Sequence, residues 1–252
     1  MNKLTLTVVG LALAALSASA QENHVVIDYN SWDHFNKVEI SKDDRRVETS
    51  VDFAFPMYFG TSVLRDVNYL NEWAVAEKSC PDFLDLDTRK NFVYALELAS
   101  VHFRSRVVDL SLGLRWSFMN FTFSNPDFTL RRGADKVFYP YPIKLESASY
   151  DNTKSKLFAS YLGIPVRLNL HYGKATVYAG ASAELLLDAY TKYRQPKVRQ
   201  TATGAFNDFR ATVEAGVSFY NVGFFVNYGI TPLFKGALSD AHTITFGLTL
   251  GL

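Results

Sequence analysis

One cysteine, Cys80, occurs in the 252 residues, which excludes an intrachain disulfide framework. An excess of charge is also missing, since 26 Lys and Arg face 25 Asp and Glu. That balance removes the electrostatic footprint of a nucleic-acid-binding surface, so no nucleic-acid partner is expected. Beyond residue 20 there is no run of about 18 apolar residues, so no transmembrane helix is predicted. The histidines, His24, His34, His102, His171 and His242, show none of the H-x-x-x-H or Cys/His spacings of metal sites. No Gly-rich phosphate loop sits in a strand–helix context. The expectation is therefore no cofactor, no metal and no assigned catalytic residue.

What is present begins with an export signal. Lys3 forms a positive n-region, Leu4 to Leu16 an apolar h-region, and Ala18-Ser19-Ala20 a cleavage site. Residues 1–20 read as a signal peptide with Gln21 as the new N-terminus. The full sequence is 48% hydrophobic and 15% aromatic, with glycine scattered through the apolar stretches beyond the leader. An exported, aromatic-rich chain without a helical span points to a β-barrel in the outer membrane or a β-sandwich in the periplasm.

Eight segments from about residue 49 onward alternate with period two, the signature of strands with one apolar face. They are Val51–Gly60, Phe92–Phe103, Val107–Phe118, Leu157–Leu170, Ala175–Leu187, Phe209–Phe219, Val222–Phe234 and the stretch ending at Leu252. The last carries Ile244, Phe246, Leu248, Leu250 and Leu252 on one face, with Thr and Gly between. A strand so apolar is a liability unless it closes a barrel. Each segment is long enough to cross a bilayer when tilted.

The links alternate between tight turns (Arg104 to Arg106, Tyr172-Gly173, Tyr220-Asn221) and longer connections: three long loops (Thr61 to Asn91, Met119 to Lys156, Asp188 to Asp208) and a shorter one, Lys235 to Ala241. That alternation describes an up-and-down, closed antiparallel transmembrane barrel of eight strands. Pairing Phe103 with Val107, His171 with Lys174 and Phe219 with Val222 keeps apolar faces on one side at all three turns. Residues 21–48 are read as a periplasmic lead-in, because "SKDDRRVE" is too charged to face lipid. "HVVIDYNSW" and "NKVEI" as strands would make ten. Residues 49–252 form the barrel domain.

Inward positions are rich in glycine and hold Glu97, Arg115, Arg167, Glu184 and Glu214. A narrow barrel is filled by side chains, and charges inside it must pair. These five are expected to form a structural charge network, with Glu97 opposite Gly113 and diagonal to Arg115, and Glu214 near Asn227. Pro165 is expected to mark a bulge or kink near the turn-end rim. Trp116, Phe118, Tyr172, Tyr190, Tyr193, Phe219, Tyr220 and Phe234 are expected to form interfacial girdles.

The stretch Tyr161-Leu162-Gly163-Ile164-Pro165-Val166-Arg167-Leu168, followed by Val177-Tyr178-Ala179-Gly180, resembles motifs of the PorT-like outer-membrane β-barrel family. The resemblance covers residues 49–252. It implies a barrel in the outer membrane of a Gram-negative bacterium, in a family with one member that assists protein secretion.

The expected role is a structural or partner-binding envelope protein, with accessory to a secretion complex as its narrower form, and not an enzyme. Its partners would be outer-membrane lipid, the barrel assembly machinery through the last strand, and an envelope protein. The loop Phe121–Leu145 offers the contact surface, with Arg131 and Arg132 suited to phosphate or carboxylate and Tyr139 and Tyr141 in a stiff Tyr-Pro-Tyr-Pro run. The first loop, "NYLNEWAVAEKSCPDFLDLD", could hold a short helix over the mouth. The alternatives are a lipid-modifying hydrolase built on Ser239 and His242, and, ranked lower, a narrow solute pore. A soluble lipocalin-like barrel is the rival fold.

Overall fold

The computed structural model describes residues 24–26, 37–41, 48–52, 55–66, 85–105, 108–132, 138–142, 154–194, 197–235 and 240–251. The leader, most of the first loop with Cys80, and Ser239 lie outside them.

Eight strands close into a ring: β4 (Met57–Arg65), β5 (Phe92–Arg104), β6 (Val108–Thr122), β9 (Ser155–Tyr172), β10 (Ala175–Arg194), β12 (Phe209–Phe219), β13 (Val222–Gly229) and β14 (His242–Leu250). Each pairs antiparallel with its neighbours in chain order, and β14 returns to β4 with Leu248 opposite Phe59. The fold is a closed antiparallel eight-stranded meander, and the apolar last strand is the one that seals it. Gly60 and Gly247 face each other at the seam; a Cβ on Gly247 would stand 2.0 Å from the Phe59 carbonyl oxygen.

Three short strands extend the sheet outside the ring. β1 (His24–Val26), β2 (Lys37–Ser41) and β3 (Glu48–Asp52) form a meander that joins along β5. "HVV" and "KVEIS" are therefore strands, but they add no stave to the barrel. The first predicted strand, Val51–Gly60, is in fact two pieces. Phe55 takes a left-handed φ of 51° ahead of Pro56, and the chain steps from β3 to β4. A proline cannot donate to the ladder, so the break falls there. Val51 is buried and does not continue the outward face of Met57 and Phe59.

Other strands run further than the sequence periods suggest. β9 has 18 residues and β10 has 20. The loops above them are partly folded: β7 (Phe128–Arg132) pairs with β8 (Phe138–Pro142), and β11 (Lys197–Thr201) pairs with β10.

The hairpin registers show where local pattern suffices. Phe219 pairs with Val222, and Glu214 with Asn227, as expected. At the next turn Tyr172 pairs with Ala175, so the two-residue turn is Gly173-Lys174, one residue further along than the expected His171 with Lys174. Gly173 has φ +60° and occupies the first turn position, where II′ turns take glycine. At the β5–β6 turn the expectation fails: Phe103 faces Leu110, and a bulge between Glu97 and Ala99 shifts the register. Val93, Ala95 and Glu97 point inward, then the bulge reverses parity so that Ser100 and His102 do. Glu97 consequently lies directly opposite Arg115, not opposite Gly113. Pro165 also departs from expectation. It sits mid-strand and inward, with no register shift on either side. The β6–β9 ladder merely skips the step at Gly113 and Pro165.

The outward faces are apolar around the ring. Leu168 is 48% exposed, Phe224 66% and Phe246 45%, and Leu112, Val177 and Val213 are similarly bare. The inside is filled at the loop end by Met119, Phe121, Phe123, Leu130, Leu157, Phe206, Leu233 and Phe234, all 0–3% exposed. Phe234 thus belongs to this internal cap and not to a girdle, whereas Tyr172, Phe219 and Tyr220 are exposed at the turn end.

Candidate functional site

The middle of the bore is a chain of alternating charges. All five residues singled out from the sequence are in it. Glu97 receives two hydrogen bonds from the Arg167 guanidinium, at 3.1 and 2.7 Å. Arg167 Nε also donates to Glu214, whose other oxygen accepts from Arg115 Nη1 at 2.6 Å. Arg115 Nη2 stands 3.6 Å from Glu184, and Glu184 accepts from Arg210 Nε at 2.9 Å. Three arginines meet three glutamates, each side chain 2–6% exposed.

Such burial is tolerable because every charge has a close opposite partner. The charges come from five strands of the ring, so the network ties staves that are not neighbours.

Sequence reasoning missed Arg210, although it shares a parity with Glu214 and was legible on that ground. It also missed the aromatic walls. Tyr58 donates its hydroxyl to Glu97 at 3.2 Å. Arg115 and Arg167 lie over its ring at 5.4 and 5.5 Å, and Arg210 over Tyr161 at 4.6 Å. Glycines create the room. A Cβ at Gly113 would stand 2.7 Å from Glu97 Oε1, one at Gly163 2.8 Å from Glu184 Cγ, and one at Gly216 2.4 Å from the Tyr178 ring.

At the turn end the bore holds a second polar cluster. His102 Nδ1 lies 2.7 Å from Asp109 Oδ2, and His102 Nε2 lies 2.9 Å from Ser100 Oγ. His171 Nε2 and Arg104 Nη2 approach the same carboxylate oxygen at 3.7 and 3.9 Å. Asn169 Nδ2 donates to Asp109 Oδ2 and to Ser111 Oγ, at 3.4 and 3.0 Å. The connectivity is that of a hydroxyl–imidazole–carboxylate relay. The bulge near Leu98 creates it by turning Ser100 and His102 inward, and no sequence signal marks that bulge.

The other sequence-predicted residues are dispersed. Arg131 faces Tyr139, and Thr129 faces Tyr141, across the β7–β8 hairpin. The described part of that loop is mostly strand, anchored where Thr191 Oγ1 donates to the Leu130 carbonyl at 3.3 Å. His242 starts β14 as expected, but its Nδ1 is taken by the Gly229 carbonyl at 2.8 Å and its ring stacks on Tyr228. Among the described residues no group of three His, Cys, Asp or Glu is arranged to hold a metal ion.

No protein-family model matches the chain, and no curated protein does. Among solved structures the chain is similar to Neisserial surface protein A (NspA). The identity is 12%, the TM-score 0.37, and the match covers 80% of this chain and 99% of that one.

Proposed function

We propose that the protein is an outer-membrane β-barrel with a structural or partner-binding role, and that its loop end carries the contact surface. The observation that carries this reading is the pairing of an apolar outer face with a packed polar bore. Leu168, Phe224 and Phe246 are half-exposed and would lie against lipid tails. A soluble lipocalin-like barrel needs the opposite arrangement, with polar side chains outside. The turn end, where β14 finishes and β3 joins, is the periplasmic side, and the long loops are outside the cell. The leader at residues 1–20 and the PorT-like stretch at Tyr161–Leu168 support the same placement. A secretion accessory role is the narrower form of this reading.

The β7–β8 hairpin is the loop-end element best suited to a partner, with Arg131, Arg132, Tyr139 and Tyr141 as its contact residues. A photo-crosslinking residue placed at Arg132 in intact cells should give a discrete higher-mass adduct. Replacing Tyr139 and Tyr141 with serine should abolish that adduct while heat-modifiable gel migration remains. Absence of any adduct would remove the partner-binding half of the reading.

A second reading, a lipid-ester hydrolase, is favoured by one observation, the Ser100–His102–Asp109 relay. Ser100 Oγ would attack an ester carbonyl and pass its proton to His102 Nε2, which returns it to the departing alcohol. Water would then cleave the acyl-serine. The first reading is preferred because Ser100 is 6% exposed and Glu97 occupies the open side of Gly113 across from it. A fluorophosphonate probe decides: labelling abolished by Ser100→Ala and His102→Ala would install the enzyme, and absence of labelling would remove it. The pore reading predicts steady single-channel conductance in planar bilayers, whereas a bore filled by the ion-pair chain and the apolar cap predicts none.

A further inference from the structure

The outer surface of β9, β10 and β11 carries basic side chains in direct cross-strand register. Lys156 pairs with Lys192, and Lys192 pairs with Arg199. Their sequence neighbours Leu157 and Thr191 are fully buried inside, at 1% and 0% exposure, so by alternation Lys156 and Lys192 point out. The Arg199 side chain is 62% exposed. One step further along the same strands, Arg194 pairs with Lys197, and Lys154 precedes the start of β9. Like charges placed directly opposite one another destabilise a sheet. Nothing in barrel closure requires them, because the ring is already complete below this level.

Beneath the cations lies an aromatic rung. Phe158 stacks on Tyr190 with ring centroids 4.6 Å apart, and Arg199 lies over Tyr190 at 3.8 Å. The rung continues through Phe118, Trp116 and Tyr94 on the adjoining strands. Below it come Asp188 opposite Ser160 and then the outward pair Leu162 with Leu185. Apart from Asp188, the surface toward the loop end runs from aliphatic to aromatic to cationic. That is the order in which a lipid presents its tails, its interface and its headgroup. One carboxylate meets the patch among the described residues: Asp188, 3.3 Å from Arg199 Nη2. Among the described residues Lys156 and Lys192 form no ion pair with a carboxylate, so the described patch is net positive.

We propose that this face binds the phosphate groups of an outer-leaflet lipid headgroup, with Lys156, Lys192 and Arg199 as phosphate ligands and the Phe158–Tyr190 stack as the shelf beneath. The geometry fits a phosphorylated lipid held at the barrel wall. The two lysines act as point charges, and Arg199, fixed by Tyr190, supplies the planar donor fork. The inference rests on the membrane reading above and adds the ligand class.

The test uses the full chain refolded into phosphatidylcholine vesicles, scored first by heat-modifiable migration. Binding is then measured for a diacyl glucosamine lipid carrying phosphate and for its dephosphorylated form, each added to the vesicles as a fluorescent probe. The phosphorylated probe should bind preferentially. Removal of each cation should weaken it roughly fivefold, and the triple variant Lys156→Gln, Lys192→Gln, Arg199→Gln about a hundredfold. Lys235→Gln, a cation elsewhere at the loop end, should leave binding unchanged. Equal binding of the two probes, or a triple variant that folds and binds like the parent, overturns the inference while leaving the membrane reading intact. Failure of the parent chain to insert overturns both.

Discussion

At Gly113 the missing side chain is what lets Glu97 lie against the wall and reach Arg167. An added Cβ would meet Glu97 Oε1 at 2.7 Å. Gly113→Ala should therefore cost about 1–3 kcal/mol by overpacking and by disturbing that pair, read from urea unfolding of the refolded barrel. Glu214 is the more demanding position, since it serves both Arg115 and Arg167. Glu214→Ala leaves two buried guanidinium groups short of a partner and should cost about 3–5 kcal/mol. An unfolding midpoint close to the parent's would show that water replaces the carboxylate and that the network is not structural. The charges were legible as inward residues from parity alone. Their pairing was not, because Glu97 lies opposite Arg115 in register only with a bulge at Leu98, and its ion pair is with Arg167, two strands away. A bulge within an unremarkable Leu-Glu-Leu-Ala run leaves no glycine or proline to mark it.

Strands differ in how far sequence fixes them. β12 and β13 join through Tyr220 and Asn221, and that two-residue turn allows one register, so the Glu214–Asn227 pairing follows from counting. β4 could not be placed that way. The apolar alternation from Val51 to Phe59 continues through Phe55-Pro56, yet the backbone turns there and β3 leaves the ring. Periodicity records side-chain polarity but not a backbone that lacks a donor. The strand faces give a direct test on β9. Leu168 points out and Arg167 points in. Leu168→Arg should cost about 2–4 kcal/mol if it lies near the bilayer midplane, measured by unfolding from vesicles. An outward position that tolerates arginine at less than about 1 kcal/mol would place it in water or at the interface instead.

Across the whole molecule the bore is filled in layers: an apolar cap at the loop end, the Arg–Glu chain in the middle and the His102–Asp109 cluster at the turn end. The closed eight-stranded meander was legible from eight apolar faces and alternating link lengths. The cap was not, because its members come from loops and strand ends whose burial depends on tertiary packing. Phe234, which reads as a girdle residue by position, is buried there against Phe206. The apolar outside and polar inside are the central claim, and site-directed spin labelling along β9 tests it most directly. Single cysteines at positions 162 to 170, in a Cys80→Ser background, would be probed in vesicles with oxygen and with a water-soluble nickel chelate. Labels at 162, 164, 166, 168 and 170 should be reached by oxygen and not by nickel, and those at 163, 165, 167 and 169 should be shielded from oxygen. Nickel access at the even positions, or the loss of the two-residue alternation, would contradict the account.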